Sequence, residues 1–201
     1  IGKVVLQHSE EPDTSNSSRG IPNYLGAAAV SPDGGTAWVP SKQDNITRGL
    51  LRNGLPLDFQ NTVRAISSRI DMATLTEDYA KRIDHDNSGV GAAAAFHPNG
   101  VYLFVALESS REVAVVNAIN GSELFRIKTG IAPQGVTLSA DGKSLYVQEF
   151  MDRSVRVVDL TPLLDNGQLR TALKAVGKTT NREKLSANGL QGKAAFFWAA
   201  E

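Results

Sequence analysis

Ala92-Ala-Ala-Ala-Phe96-His-Pro-Asn-Gly100-Val-Tyr-Leu-Phe104-Val105 holds the fold in miniature. A short run of small apolar residues leads into Asn-Gly, a pair that tolerates the backbone of a tight hairpin turn, and a second apolar strand follows with an aromatic near its centre. The same sentence is written twice more. Upstream it reads Gly26-Ala-Ala-Ala-Val30-Ser-Pro-Asp-Gly34-Gly-Thr-Ala-Trp38-Val39, and downstream Gly135-Val-Thr-Leu138-Ser-Ala-Asp-Gly142-Lys-Ser-Leu-Tyr146-Val147. Gly100 and Gly142 are 42 residues apart, within the span of one four-stranded repeat of about 40–50 residues. A third strand, Glu112–Asn117 or Ser154–Asp159, alternates in character, and Glu123–Lys128 supplies a fourth. A sheet of this kind cannot cover both of its faces, so it must stack on siblings around an axis. The chain therefore reads as all-β: a partial β-propeller of about three four-stranded blades with a short helical C-terminal tail. Alanine and glycine in the first strands suit the crowding near the axis, and the flanking Pro and Asx-Gly signals argue against helices there.

The first repeat is longer, with 66 residues from Gly34 to Gly100. The surplus falls between about Lys42 and Val63, a stretch rich in Asn, Arg, Gly and Pro that reads as an excursion between second and third strands. Its third strand is expected at Ser67–Asp71 and its fourth at Tyr79–Ile83. The chain opens on Lys3-Val-Val-Leu6, which reads as a strand. After Asp159 a loop or short helix over Leu160–Gly167 precedes a closing strand at Leu173–Val176. Residues 181–201 read as helical, capped by Asn181, with a break expected near Gly189 and Gly192. The organisation expected is thus residues 1–180 as blades of a larger propeller and residues 181–201 as a connector towards a further C-terminal domain.

Charge excludes some partners. Lys plus Arg and Asp plus Glu each number 21, and no basic run is visible, so nothing points to nucleic acid or an anionic membrane. No stretch approaches the roughly 20 apolar residues of a membrane helix. There is no cysteine, which removes disulfides, thiolate metal sites, thiol nucleophiles and covalent haem attachment within these 201 residues.

The Ser-Pro-Asp-Gly and Ser-Ala-Asp-Gly turns followed by Trp-Val or Tyr-Val resemble YVTN-type β-propeller repeats of surface-layer and secreted proteins. A more specific resemblance rests on Gly20–Gly26, Trp38–Ile46, Arg64–Ile70, Arg82–Asn87, and the tail Glu183-Lys-Leu-Ser-Ala with Leu190-Gln-Gly-Lys-Ala-Ala-Phe-Phe197. Together these are similar to large bacterial proteins in which a propeller precedes a di-haem cytochrome c peroxidase-like (MauG-like) domain. The resemblance implies an exported protein, periplasmic or extracellular. It implies haem c in a C-terminal part of the parent with no cofactor in this chain, and a haem domain or redox protein as partner. No haem ligand of that family has a counterpart among these residues.

Few side chains suggest a site. His97 takes the place of Ser31 and Ser139 and reads as a turn residue. His85 and Asp86, in Asp84-His-Asp-Asn87, read as a solvated polar loop between blades, with a partner or ion contact as the alternative, although the pattern lacks the spacing of a known calcium loop. Arg111 and Arg153 recur 42 residues apart with Glu108 and Glu149 nearby. They suit either an acidic partner or pairing between blades. No Ser-His-Asp set, phosphate loop or zinc spacing is legible. The expectation is a non-catalytic scaffold or partner-binding segment whose uncovered faces lead either to association between copies or to a partly open arc, with catalysis by the parent left open. A propeller enzyme of lactonase or quinoprotein type and a surface-layer adhesion module remain as alternatives.

Overall fold

Each hairpin is built on the same local chemistry. The N–H groups of Gly34, Gly100 and Gly142 donate to the carbonyls of Ser31, His97 and Ser139, closing a turn in which the glycine alone takes a positive φ, +70° or +72°. This is a type I turn followed by a left-handed residue, rather than a turn with two positive φ angles. Asp33, Asn99 and Asp141 fasten it by accepting the N–H two residues on. The computed structural model describes residues 2–14, 17–46, 62–180, 182 and 184–196.

Three antiparallel sheets result. The second contains β7 (Gly91–Phe96), β8 (Tyr102–Leu107), β9 (Glu112–Asn117) and β10 (Ser122–Lys128). The third contains β11 (Pro133–Leu138), β12 (Ser144–Glu149), β13 (Ser154–Asp159) and β14 (Ala172–Lys178). In both, strand order follows chain order. The first sheet keeps the four-position plan with broken outer positions. Its long middle strands are β3 (Thr36–Asp44) and β4 (Val63–Asp71). Beside β3 the inner position is shared by β1 (Ile21–Asn23) and β2 (Ala29–Val30), and beside β4 the outer one is shared by β5 (Thr76–Glu77) and β6 (Ile83–His85). Inner strands of successive sheets adjoin, with β7 packed against both β2 and β11. The molecule is a partial β-propeller of three blades with a short C-terminal helix.

The core lies in the seams. Trp38, Ala65 and Ile83 of the first blade meet Leu103, Val105 and Val116 of the second. Phe104, Val113 and Val115 on the second blade's other face meet Leu145, Val147 and Val158 of the third. The recurring aromatics occupy one register position, opposite Ala29, Ala95 and Thr137 respectively. Trp38 and Phe104 are fully buried against the following blade, whereas Tyr146, on the last one, is 36% exposed.

Several expectations are corrected. Residues 3–6 form no strand; Val4 instead packs with Ala37, Val39 and Ile70 on the first blade's outward face. Tyr79–Ile83 is not a strand, because a 3-10 turn at Tyr79–Lys81 separates β5 from β6. The third strand begins at Val63 rather than Ser67. The excursion joins β3 to β4 as expected but starts after Asp44; residues 47–61 lie outside the described residues. Leu160–Gly167 holds α1 (Thr161–Asn166), closed by Gly167 in the left-handed region. The terminal helix is α2 (Ala187–Phe196), continuous through Gly189 and Gly192 with no break, and Asn181 lies outside the described residues.

Candidate functional site

The densest polar constellation fills the outer part of the seam between the first two blades. β6 delivers His85 into it, fully buried. His85 Nδ1 lies 2.9 Å from Glu123 Oε2 of β10, and Nε2 lies 2.9 Å from Ser67 Oγ of β4. An ionised carboxylate only accepts, so Nδ1 donates to Glu123, and in the neutral ring Nε2 then accepts from the serine hydroxyl. Glu123 also receives Arg126 Nε at 2.6 Å. Arg126 Nη2 donates to the Asp86 carbonyl at 2.7 Å and Nη1 to Glu112 Oε2 at 3.1 Å. Burial pushes the Glu123 carboxyl up, but His85 and Arg126 outweigh it and hold the group below its ordinary value. On the opposite face of the first blade, buried Arg64 donates through Nε to both Asp84 oxygens and through Nη2 to Asp86 Oδ1. Burial still leaves Asp84 above its ordinary value.

Sequence reasoning saw no Ser-His-acid set, yet Ser67, His85 and Glu123 are joined in that connectivity. Separations of 18 and 38 residues carry no local signal. The arrangement is a clasp. Ser67 and His85 both have zero exposure, so no substrate carbonyl can reach Oγ, which a nucleophile requires. The solvated-loop reading of His85 is overturned for the same reason, and Asp86 is held by Arg64 through its side chain and by Arg126 through its carbonyl.

The other candidates gather at the same end of the sheets, where second strands turn into third strands and each blade hands over to the next. Glu108 N–H donates to the Val90 carbonyl, and its carboxyl, bonded to Gln134, is pushed up by burial. Glu149 is 1% exposed and accepts from Gly130 N–H at 2.7 Å, Ser154 Oγ at 2.6 Å and Arg156 Nε. Burial raises this carboxyl, but those three donors outweigh it and hold it low. Its cationic partner is Arg156 of the same sheet rather than Arg153. Arg111 and Arg153 are equivalent turn residues with φ of +59° and +50°, and Arg153 Nη1 reaches the Arg182 carbonyl at 3.4 Å. His97 is the turn residue expected: Nδ1 accepts Asn99 N–H, so Nε2 donates to the Gly142 carbonyl at 3.1 Å and ties two turns together. Among the described residues no three His, Asp or Glu side chains cluster as a metal site, and no helix is long and apolar enough to cross a membrane.

No family model and no curated protein matches this chain. Solved β-propeller structures do. Kuenenia stuttgartiensis hydrazine synthase superposes with a TM-score of 0.56 at 16% identity, over 69% of this chain and 46% of that one. The RRP9 WD40 repeats give 0.56 at 13%, over 79% and 39%. A protein from Lactobacillus plantarum gives 0.54 at 17%, over 81% and 43%. At these identities the likeness establishes the fold alone: the chain is a β-propeller segment, and it spans less than half of each of these relatives.

Proposed function

We propose that this chain is a non-catalytic scaffold and partner-binding segment of an exported bacterial electron-transfer protein, set beside a di-haem cytochrome c peroxidase-like domain. The observation that carries the non-catalytic reading is the burial of the triad-like constellation found among the described residues: Ser67 and His85 face no solvent, and His85 ties the first blade to the second through Glu123. The electron-transfer setting rests on the resemblance of Gly20–Gly26, Arg82–Asn87 and the Leu190–Phe197 segment. Lacking cysteine, these 201 residues offer haem no thioether attachment, so in this reading haem c resides elsewhere in the parent and the propeller presents or orients a redox partner.

The test is expression of the complete reading frame in a host that matures c-type cytochromes. A haem-staining product with peroxide-dependent oxidation of a reduced cytochrome is expected. A product without covalent haem overturns the redox setting. An activity lost on Ser67→Ala in a protein that remains folded overturns the non-catalytic reading.

A further inference from the structure

The two seams differ at their rims, and the difference leaves a cleft. Strand register makes Glu123 and Arg126 of β10 equivalent to Leu173 and Val176 of β14: Glu123 faces Val116 and Leu173 faces Val158, while Arg126 faces Ala114 and Val176 faces Arg156. In the first seam the two charged residues fill the space with the His85 network. In the second their replacements are 61% and 45% exposed. A cleft of about 370 Å³ remains there, walled by Phe125 and Ile127 on one side, Val158 and Leu173 on the other, with Arg156 and Arg170 beside them. Leu169, 59% exposed, lies at its margin.

The lining includes no carboxylate. Arg156 is balanced by Glu149 through Nε alone, leaving Nη1 and Nη2 as donors without a protein partner among the described residues. Arg170 bonds through Nε to neutral Gln168 and has no acidic partner there. Four consecutive residues of β10, Phe125 to Lys128, line the cleft, and β10 ends its sheet, so one edge of that strand has no neighbouring strand among the described residues. Apolar walls of this volume, cationic donors and a free strand edge match one kind of occupant.

We infer that this rim cleft docks an extended peptide segment whose cleft-facing positions, every second residue, carry both apolar side chains and carboxylates. On that one face the apolar side chains enter between Phe125 and Leu173 and the carboxylates meet Arg156 and Arg170, while the main chain lies along β10 and the intervening side chains point away. This deepens, and rests on, the reading of the chain as a partner-binding segment.

The probe is a blocked peptide Leu-Ser-Glu-Ser-Leu-Ser-Glu, whose leucines and glutamates share one face when extended, titrated into the 201-residue chain and followed by amide NMR. Shifts confined to Phe125–Lys128, Arg156–Val158 and Leu169–Leu173 are expected, with affinity falling as salt is raised. Arg170→Glu and Leu173→Asp both change exposed side chains, and each is expected to weaken binding at least tenfold. Shifts elsewhere, unchanged affinity in both variants, or equal binding of a leucine–lysine peptide overturns the inference. The outcomes separate from those above: a haem-bearing parent whose cleft ignores the peptide loses only the cleft, and a haem-free product that binds it loses only the redox setting.

Discussion

Gly34 and Gly142 share a turn position and a φ near +70°, yet a methyl group added there meets different surroundings. At Gly34 nothing lies within 4 Å, so Gly34→Ala is expected to cost only the left-handed backbone penalty, about 1–2 kcal/mol. At Gly142 the added carbon falls 2.5 Å from His97 Nε2, the atom that bridges the two turns. Gly142→Ala should therefore cost about 2–4 kcal/mol by urea denaturation. In the background of His97→Ser, the residue type of the other two turns, its cost should shrink to that of Gly34→Ala; equal costs in both backgrounds would remove His97 from the account. Glu149 and Glu108 give opposite pH signatures. Glu149 is held below its ordinary value, so its stabilisation is complete above that value and fades as pH falls through the lowered one. Glu149→Gln should lose about 1–3 kcal/mol at pH 7 and progressively less below about pH 4. Glu108 is raised by burial, so its ionised form opposes folding at neutral pH, and the opposition fades as pH drops through the raised value. Glu108→Gln should raise Tm at pH 7 and lose that advantage at pH 4.

Strands that look interchangeable in sequence carry different loads. Arg126 of β10 has all three guanidinium nitrogens bonded, to Glu123, Glu112, Ser88 and the Asp86 carbonyl, whereas Lys128 is 86% exposed and reaches only Glu112. Arg126→Ala should lower stability by about 2–4 kcal/mol because it leaves partly buried carboxylates unpaired. Lys128→Ala should lower it by less than about 1 kcal/mol. Similar losses in chemical denaturation would mean that the seam network does not hold the blades. The same contrast explains what the sequence could and could not disclose. Turn glycines, aromatics and alternating third strands are local features, so the blades were legible from Gly26 to Asp159. The fourth strand of the first blade was misplaced because its edge position is shared by β5 and β6, with a 3-10 turn where one continuous strand was expected. The His85 clasp and the rim cleft were invisible. Each joins residues from different blades, and only register shows that Leu173 stands where Glu123 does. Solvation of His85 was the natural expectation for Asp84-His-Asp-Asn87, and packing by a neighbouring sheet reversed it.

At the scale of the whole molecule, the last blade repeats the chemistry of the second on a face that no further blade covers among the described residues. Phe104, Val113 and Val115 are wholly buried by the third blade; their counterparts 42 residues on, Tyr146, Val155 and Val157, retain exposure. Alternation along β12 and β13 places all three on the face away from the second blade. The same register position thus buries an aromatic fully when a sibling sheet follows and leaves Tyr146 at 36% when none does. The hydrophobic effect acts on that difference whether or not a native occupant is present. The isolated chain should therefore associate as its concentration rises and bind a dye that reports apolar surface. Tyr146→Gln with Val157→Thr should bring the mass measured by light scattering towards 21.5 kDa and reduce dye binding, with little loss of Tm, because these side chains support no contact between the existing blades. A wild-type chain that stays at 21.5 kDa across concentrations and ignores the dye would show that the third blade's outer face is satisfied within the chain, and the stacking logic that relates Trp38, Phe104 and Tyr146 would fail with it.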